Sequence, residues 1–160
     1  MDFDEALKNA INRGQDRADS QRDLDNKKQL SVDELKNRHS QYRLSLSEYI
    51  EPVLRKLCEH FPGFEYETIY GSRGWGGAVH RDDIRRGDTG KSGSFYSRLE
   101  ITVRPHNEFN VVNIAGKGTI HNKEIFSWNY FKDIVEVSPE DFQQKIDAWI
   151  LMYAEKFASM

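Results

Sequence analysis

Phe95-Tyr96-Ser97-Arg98-Leu99-Glu100-Ile101-Thr102-Val103-Arg104 is the stretch from which the fold of this 160-residue chain is read. Leu99, Ile101 and Val103 fall on one side, and Arg98, Glu100, Thr102 and Arg104 on the other. A period of two with one apolar and one charged side marks an antiparallel strand that buries one face and wets the other.

Outward from this strand, the same period predicts strands over 64–70, 78–81, 109–120 and 125–130. Gly71-Ser72-Arg73-Gly74-Trp75-Gly76-Gly77, Pro105-His106-Asn107 and His121-Asn122-Lys123 are short, turn-rich links, which points to a meander of four to five strands over residues 64–131. Residues 82–94 carry three glycines and hardly any apolar side chain, so they are expected to form a mobile, exposed loop. Gly116 and Gly118 suggest a bulge. Phe109, Val111, Phe126, Trp128 and Tyr130 exceed what one layer of helices requires. The second sheet face is therefore expected to meet a helix, a second copy or a ligand.

Helical periods flank the sheet. Ser31-Val32-Asp33-Glu34 reads as a capping box, followed by an apolar stripe through Leu35, Tyr42, Leu46, Tyr49, Val53 and Leu57 and ended by Phe61-Pro62-Gly63. Pro52 is expected to bend or split this helix, assigned to 31–61. Ser138-Pro139-Glu140-Asp141 announces a last helix over 139–158, with Phe142, Ile146, Trp149, Ile150, Tyr153 and Phe157 on its apolar face. Residues 1–30 read as a polar helical extension with one short stripe, Phe3, Ala6, Leu7, Ala10 and Ile11. The predicted fold is α+β: that extension, then a single domain over 31–160 whose antiparallel meander lies between a long N-terminal helical segment and a C-terminal helix.

Composition narrows the function classes. A formal charge of -3 and a pI near 6.0 supply no global field toward nucleic acid or an anionic membrane. The acidic opening Met1-Asp2-Phe3-Asp4-Glu5 is unlike a secretory leader, and the apolar run 148–154 is too short to span a bilayer. A cytoplasmic protein with no membrane partner is expected. The one cysteine, Cys58, falls on a helix's apolar side and reads as a packed small hydrophobe.

Residues 63–132 hold ten Lys/Arg against eight Asp/Glu, a mildly basic segment in an acidic chain. Three constellations lie there. Arg73 and Trp75 sit in the glycine-rich link, whose backbone N–H groups suit an anion, although the Gly-Lys-Ser/Thr ending of a P-loop is missing. His80-Arg81-Asp82-Asp83 places His80 and Asp82 on one side of a strand, an acid–base pair for a small enzyme. Arg81, Arg85, Arg86, Arg98 and Arg104, with Lys91 nearby and Trp75, Phe95 and Tyr96 interleaved, combine cations and rings as single-stranded nucleic acid requires. The five histidines show no metal-ligand spacing, and no cofactor motif is present.

The expectation is a non-catalytic binding or scaffold protein acting through its second sheet face and the 82–94 loop, as a homodimer or with another protein. Nucleic-acid or polyanion binding through Arg81, Arg85, Arg86, Arg98 and Arg104 is the first alternative, and an enzyme centred on His80 and Asp82 the second.

Overall fold

Five strands pair in chain order as one antiparallel sheet: β1 (Glu65–Gly71), β2 (Gly74–Arg86), β3 (Ser92–Val103), β4 (Val111–Ile120) and β5 (Lys123–Asp133). Helix α1 (Phe3–His60) precedes the sheet and α2 (Pro139–Ser159) follows it, after a 3-10 turn at Ile134–Glu136. This computed structural model describes residues 2–86 and 92–160, without the side chains of 26–30, 85, 86 and 92. The α+β class and the meander are as the alternation predicts. No described helix is long and apolar enough to cross a membrane.

The chain divides into two compact units, residues 1–37 and 38–160. In the first, every described side chain from Asp2 to Asp25 is exposed, Phe3, Leu7, Ile11 and Leu24 included. Local contacts such as Gln21 to Asp25 (3.2 Å) and Arg22 to Asp19 (4.0 Å) decorate it. The capping box at Ser31 does not start a helix, because α1 already runs through it. Residues 15–30 hold neither glycine nor proline, so nothing upstream turns the backbone out of the helix and frees the N–H groups that a cap serves. Nor does Pro52 split α1. Glu48, whose carbonyl loses its donor there, is exposed to water, as is Pro52 itself.

In the second unit the core lies between the helices and one sheet face. Leu46, Ile50, Leu54 and Leu57 of α1 and Phe142, Ile146, Trp149, Ile150, Tyr153 and Phe157 of α2 are buried against Val79, Leu99, Ile101, Val103, Val112 and Ile114. Helix α1 covers the β1–β2 side, where the Arg43 guanidinium lies 3.9 Å from the Trp75 ring centre and that of Arg55 4.5 Å from Tyr66. Helix α2 covers the β4–β5 side, with Trp149 stacked on Trp128 at 5.4 Å and Phe142 edge-on to Tyr130 at 5.0 Å. The Tyr49 hydroxyl donates to Asp147 (2.7 Å), tying the helices together, and the Tyr153 hydroxyl donates to the Thr119 carbonyl (2.8 Å). Ser138 occupies the N-cap of α2, but its hydroxyl donates to Glu140 instead of capping the backbone.

Two segments differ from their sequence reading. Strands β2 and β3 stay paired as far as Arg86 and Ser92, so most of the expected 82–94 loop is a long hairpin arm; residues 87–91 lie outside the described part. The glycine-rich link is a tight turn, and Gly74, Gly76 and Gly77 belong to β2. Glycine is needed at Gly76 for space, since a Cβ there would lie 2.0 Å from the Ile101 carbonyl oxygen. The bulge sits between Gly118 and Thr119. It keeps Phe126, Trp128 and Tyr130 on the helical face, where α2 absorbs them.

His39 is an unusual core residue, 1% exposed with no partner on its Nε2. Burial, then the neighbouring His106 and Arg43, push its pKa down to about 4. The folded state therefore holds His39 neutral while the unfolded chain takes up a proton near its usual 6.5. Because the unfolded state binds more protons between these values, stability rises with pH across pH 4–6.5 and is lost on acidification. Urea unfolding at both ends of this window should show a fall of roughly 1–3 kcal/mol. His39→Leu should flatten that dependence.

Candidate anion-binding site on the open sheet face

Residues opposite one another in an antiparallel ladder share a face. Register therefore assembles the second face in rows: Ile69, Gly76, Thr102, Ala115 and Asn129; then Glu67, Ala78, Glu100, Lys117 and Ser127; then Glu65, His80, Arg98 and Thr119. Short side chains in the middle, Gly76, Ala78, Thr102 and Ala115, make a floor from which longer polar groups rise. Arg104, Lys117, Ser127 and Asn129 are exposed. Of the apolar surplus that suggested a covering partner, Phe126, Trp128 and Tyr130 are on the helical face, whereas Val111 shares the open face and Phe109 is exposed. The middle of the open face is therefore a polar trough, with apolar side chains only toward its rim.

Its charge is arranged asymmetrically. On the β1 side Arg98 is bonded to Glu67 and lies 3.7 Å from Glu100, so that cation is already matched by acids. The bond from Arg98 holds the Glu67 carboxyl below its usual range, an acid kept ionised at the trough's edge. Toward β4 and β5 the balance reverses. A hollow of about 270 Å³ is lined by Arg73, Glu100, Thr102, Arg104, Ala115 and Lys117. It shares Arg104, Ala115 and Lys117 with a groove of about 580 Å³, which continues over Asn107, Asn113, Ser127 and Asn129. Among the described residues, Arg73, Arg104 and Lys117 form no ion pair, and only Glu100 opposes them in the lining.

Local structure explains each placement. Arg73 is in the turn between β1 and β2, next to Gly74, whose φ of 152° is open to glycine. Arg104 just follows β3, and its N–H donates to the Asn113 carbonyl (2.8 Å), which extends the ladder by one bond. Lys117 stands opposite Glu100 on the trough side, between Gly116 and Gly118, which make room for rings on the other face. The Asn113 side-chain oxygen is buried in the groove lining with no hydrogen-bond partner. An unmatched acceptor of this kind is costly unless a ligand or water supplies a donor. Phe131, paired with Asn113 and 58% exposed, adds an aromatic surface at the rim.

The residues expected to form a site are dispersed. Arg73, His80, Arg98 and Arg104 belong to the open side. Arg81 faces the helices, where it donates to Asp83 (2.8 and 2.9 Å) and to the Pro62 carbonyl (3.1 Å) and covers the Phe157 ring at 5.2 Å. Trp75 is on that helical side too, stacked on Tyr70 at 4.9 Å. Arg85 and Arg86 are β2 backbone, and their side chains lie outside the described residues. The half-buried His80 leans on Tyr96 (6.3 Å between ring centres), and Asp82 accepts from the Ser94 hydroxyl. Among the described residues no hydrogen bond joins His80 to Asp82, and no cluster of His, Cys, Asp and Glu is arranged to hold a metal ion. Sequence reasoning missed Lys117, Asn113 and Asn129. The one available signal was parity, which puts all three on the same side of their strands.

The arrangement offers cations and amides to a ligand bearing negative charge. Compared with known proteins, the chain matches no family model, no curated protein and no solved structure.

Proposed function

We propose that this is a non-catalytic binding protein whose open sheet face takes a phosphate-bearing ligand, with a short stretch of single-stranded nucleic acid the ligand of best fit. The carrying observation is the convergence of Arg73, Arg104 and Lys117, unmatched by ion pairs, on one polar trough. Phosphates meet these cations. Asn113, Asn129 and Ser127 offer donors and acceptors to base edges, and Phe131 offers a ring for stacking. The acids of the β1 side repel an anion and restrict it to the β4–β5 half. Relative to the expected set, the reading keeps Arg73 and Arg104 and adds Lys117, while Arg81 holds the fold together.

A fluorescence-anisotropy titration with a labelled single-stranded oligonucleotide tests it. With three cations engaged, log affinity against log salt has a slope of about -2 on single strands, so affinity drops by roughly twentyfold from about 50 to 200 mM salt. Absence of binding at the lowest salt removes the electrostatic case, and binding indifferent to salt refutes the role of the cations.

A further inference from the structure

On the side of the helices away from the sheet, a groove of about 600 Å³ runs between α1 and α2, lined by Tyr49, Val53, Leu57, Phe61, Ile150 and Leu151 among others. Most of its surface is apolar carbon. Leu151 is 68% exposed at its wall, and Leu57 and Ile150 close its floor. Lys56 and His60 stand in the lining, and the one acid there, Asp147, already accepts the Tyr49 hydroxyl. The first turns of α1 are the counterpart in shape and charge. Phe3, Leu7 and Ile11 recur at helical spacing, all exposed, beside Asp2, Asp4 and Glu5.

We propose that the groove between α1 and α2 takes the Phe3–Leu7–Ile11 stripe from a second copy of the chain, so that two copies exchange their amino-terminal helices. Three observations carry this. The stretch of α1 up to Asp25, whose described side chains are all exposed, draws little stability from propensity alone and gains from a packed face. The groove follows α1 from Tyr49 to His60, about 16 Å of helix, and the stripe covers about 12 Å. The acids of the stripe's first turn meet the basic lining of the groove, with Leu7 and Ile11 anchored on Leu57, Ile150 and Leu151. Beyond Ile11 the stripe's next positions are Gly14, Ala18 and Gln21, which do not extend an apolar seam for two such helices to pair along their length. In the proposed arrangement the exchange is reciprocal, each copy giving its stripe and receiving its partner's, which is the form that closes at a dimer.

Sedimentation of the full chain at micromolar concentration tests the exchange, together with Leu7→Asp and Leu151→Asp, both at exposed positions. A dimer that each substitution weakens at least tenfold supports it. A second measurement mixes a copy bearing Ile11→Cys with one bearing Leu151→Cys, both carrying Cys58→Ala, and looks for a disulfide between copies under oxidation. Four results overturn the proposal: a monomer at all concentrations, a dimer indifferent to both substitutions, one weakened by Leu7→Asp alone, or no disulfide between the mixed copies. The groove and the trough lie on opposite sides of the sheet, so any of these leaves the phosphate-binding reading standing.

Discussion

Reversing two charges, Arg104→Glu together with Lys117→Glu, is expected to weaken oligonucleotide binding at low salt by at least about a hundredfold, because each lost charge-assisted contact costs about 1.5–3 kcal/mol. Both side chains are exposed and neither forms an ion pair among the described residues, so the fold has little to lose with them. The reversal also gathers carboxylates around Glu100 in the hollow, which replaces attraction by repulsion. Lys117→Ala alone removes one contact and should cost about tenfold. Lys56→Glu, half that change in net charge but on the helical side, should leave binding within about twofold, since the helices and the sheet lie between it and the trough and exposed charges are screened beyond about 8–10 Å. The double reversal and Lys56→Glu therefore separate a local site from a general effect of net charge.

The largest effect on stability is expected at Gly76. Its virtual Cβ falls 2.0 Å from the Ile101 carbonyl oxygen and 2.9 Å from the Thr102 Cα, both backbone atoms of β3, which have no rotamer with which to withdraw. Gly76→Ala forces β2 and β3 apart near the middle of the sheet and weakens the ladder on either side. Overpacking alone costs about 1–3 kcal/mol; with ladder bonds lost as well, at least about 3 kcal/mol is expected, a large share of the 5–15 kcal/mol that holds a typical domain together. Gly71→Ala is the control, since nothing lies within 4 Å of its virtual Cβ and the residue is exposed. Urea midpoints of the two variants should differ sharply, with Gly71→Ala within about 1 kcal/mol of the parent chain. Equal midpoints would show that β2 approaches β3 less closely than described.

How far the sequence discloses this molecule depends on whether a feature is set locally or by register. Leu99, Ile101 and Val103 alternate with charged residues because β3 is covered on one side only, and the stripe from Phe142 to Phe157 exists because α2 covers the same core; both are legible as periods. The start at Ser31 misleads because cap chemistry acts only where the preceding backbone leaves the helix. The Asp82-Asp83 acids look like loop, yet they ride on a paired arm whose extent is set by register with β3. Gly76 and Gly77 resemble turn residues, but their small size serves close approach to Ile101 and Tyr66. The site is the least legible part. Arg73, Arg104 and Lys117 come from a turn, a strand end and a mid-strand position, and only pairing across β2, β3 and β4 draws them into one trough. Arg81 illustrates the converse, an arginine in a basic stretch that parity assigns to the helical face.

Amide NMR of the full chain, recorded as a single-stranded oligonucleotide is added at low salt, tests the central claim most directly. Binding in the trough should move the signals of Thr102, Arg104, Asn113, Lys117 and Asn129 first, with those of Lys56 and Leu151 unchanged. Shifts confined to the helical side, or no shifts at all, would contradict it.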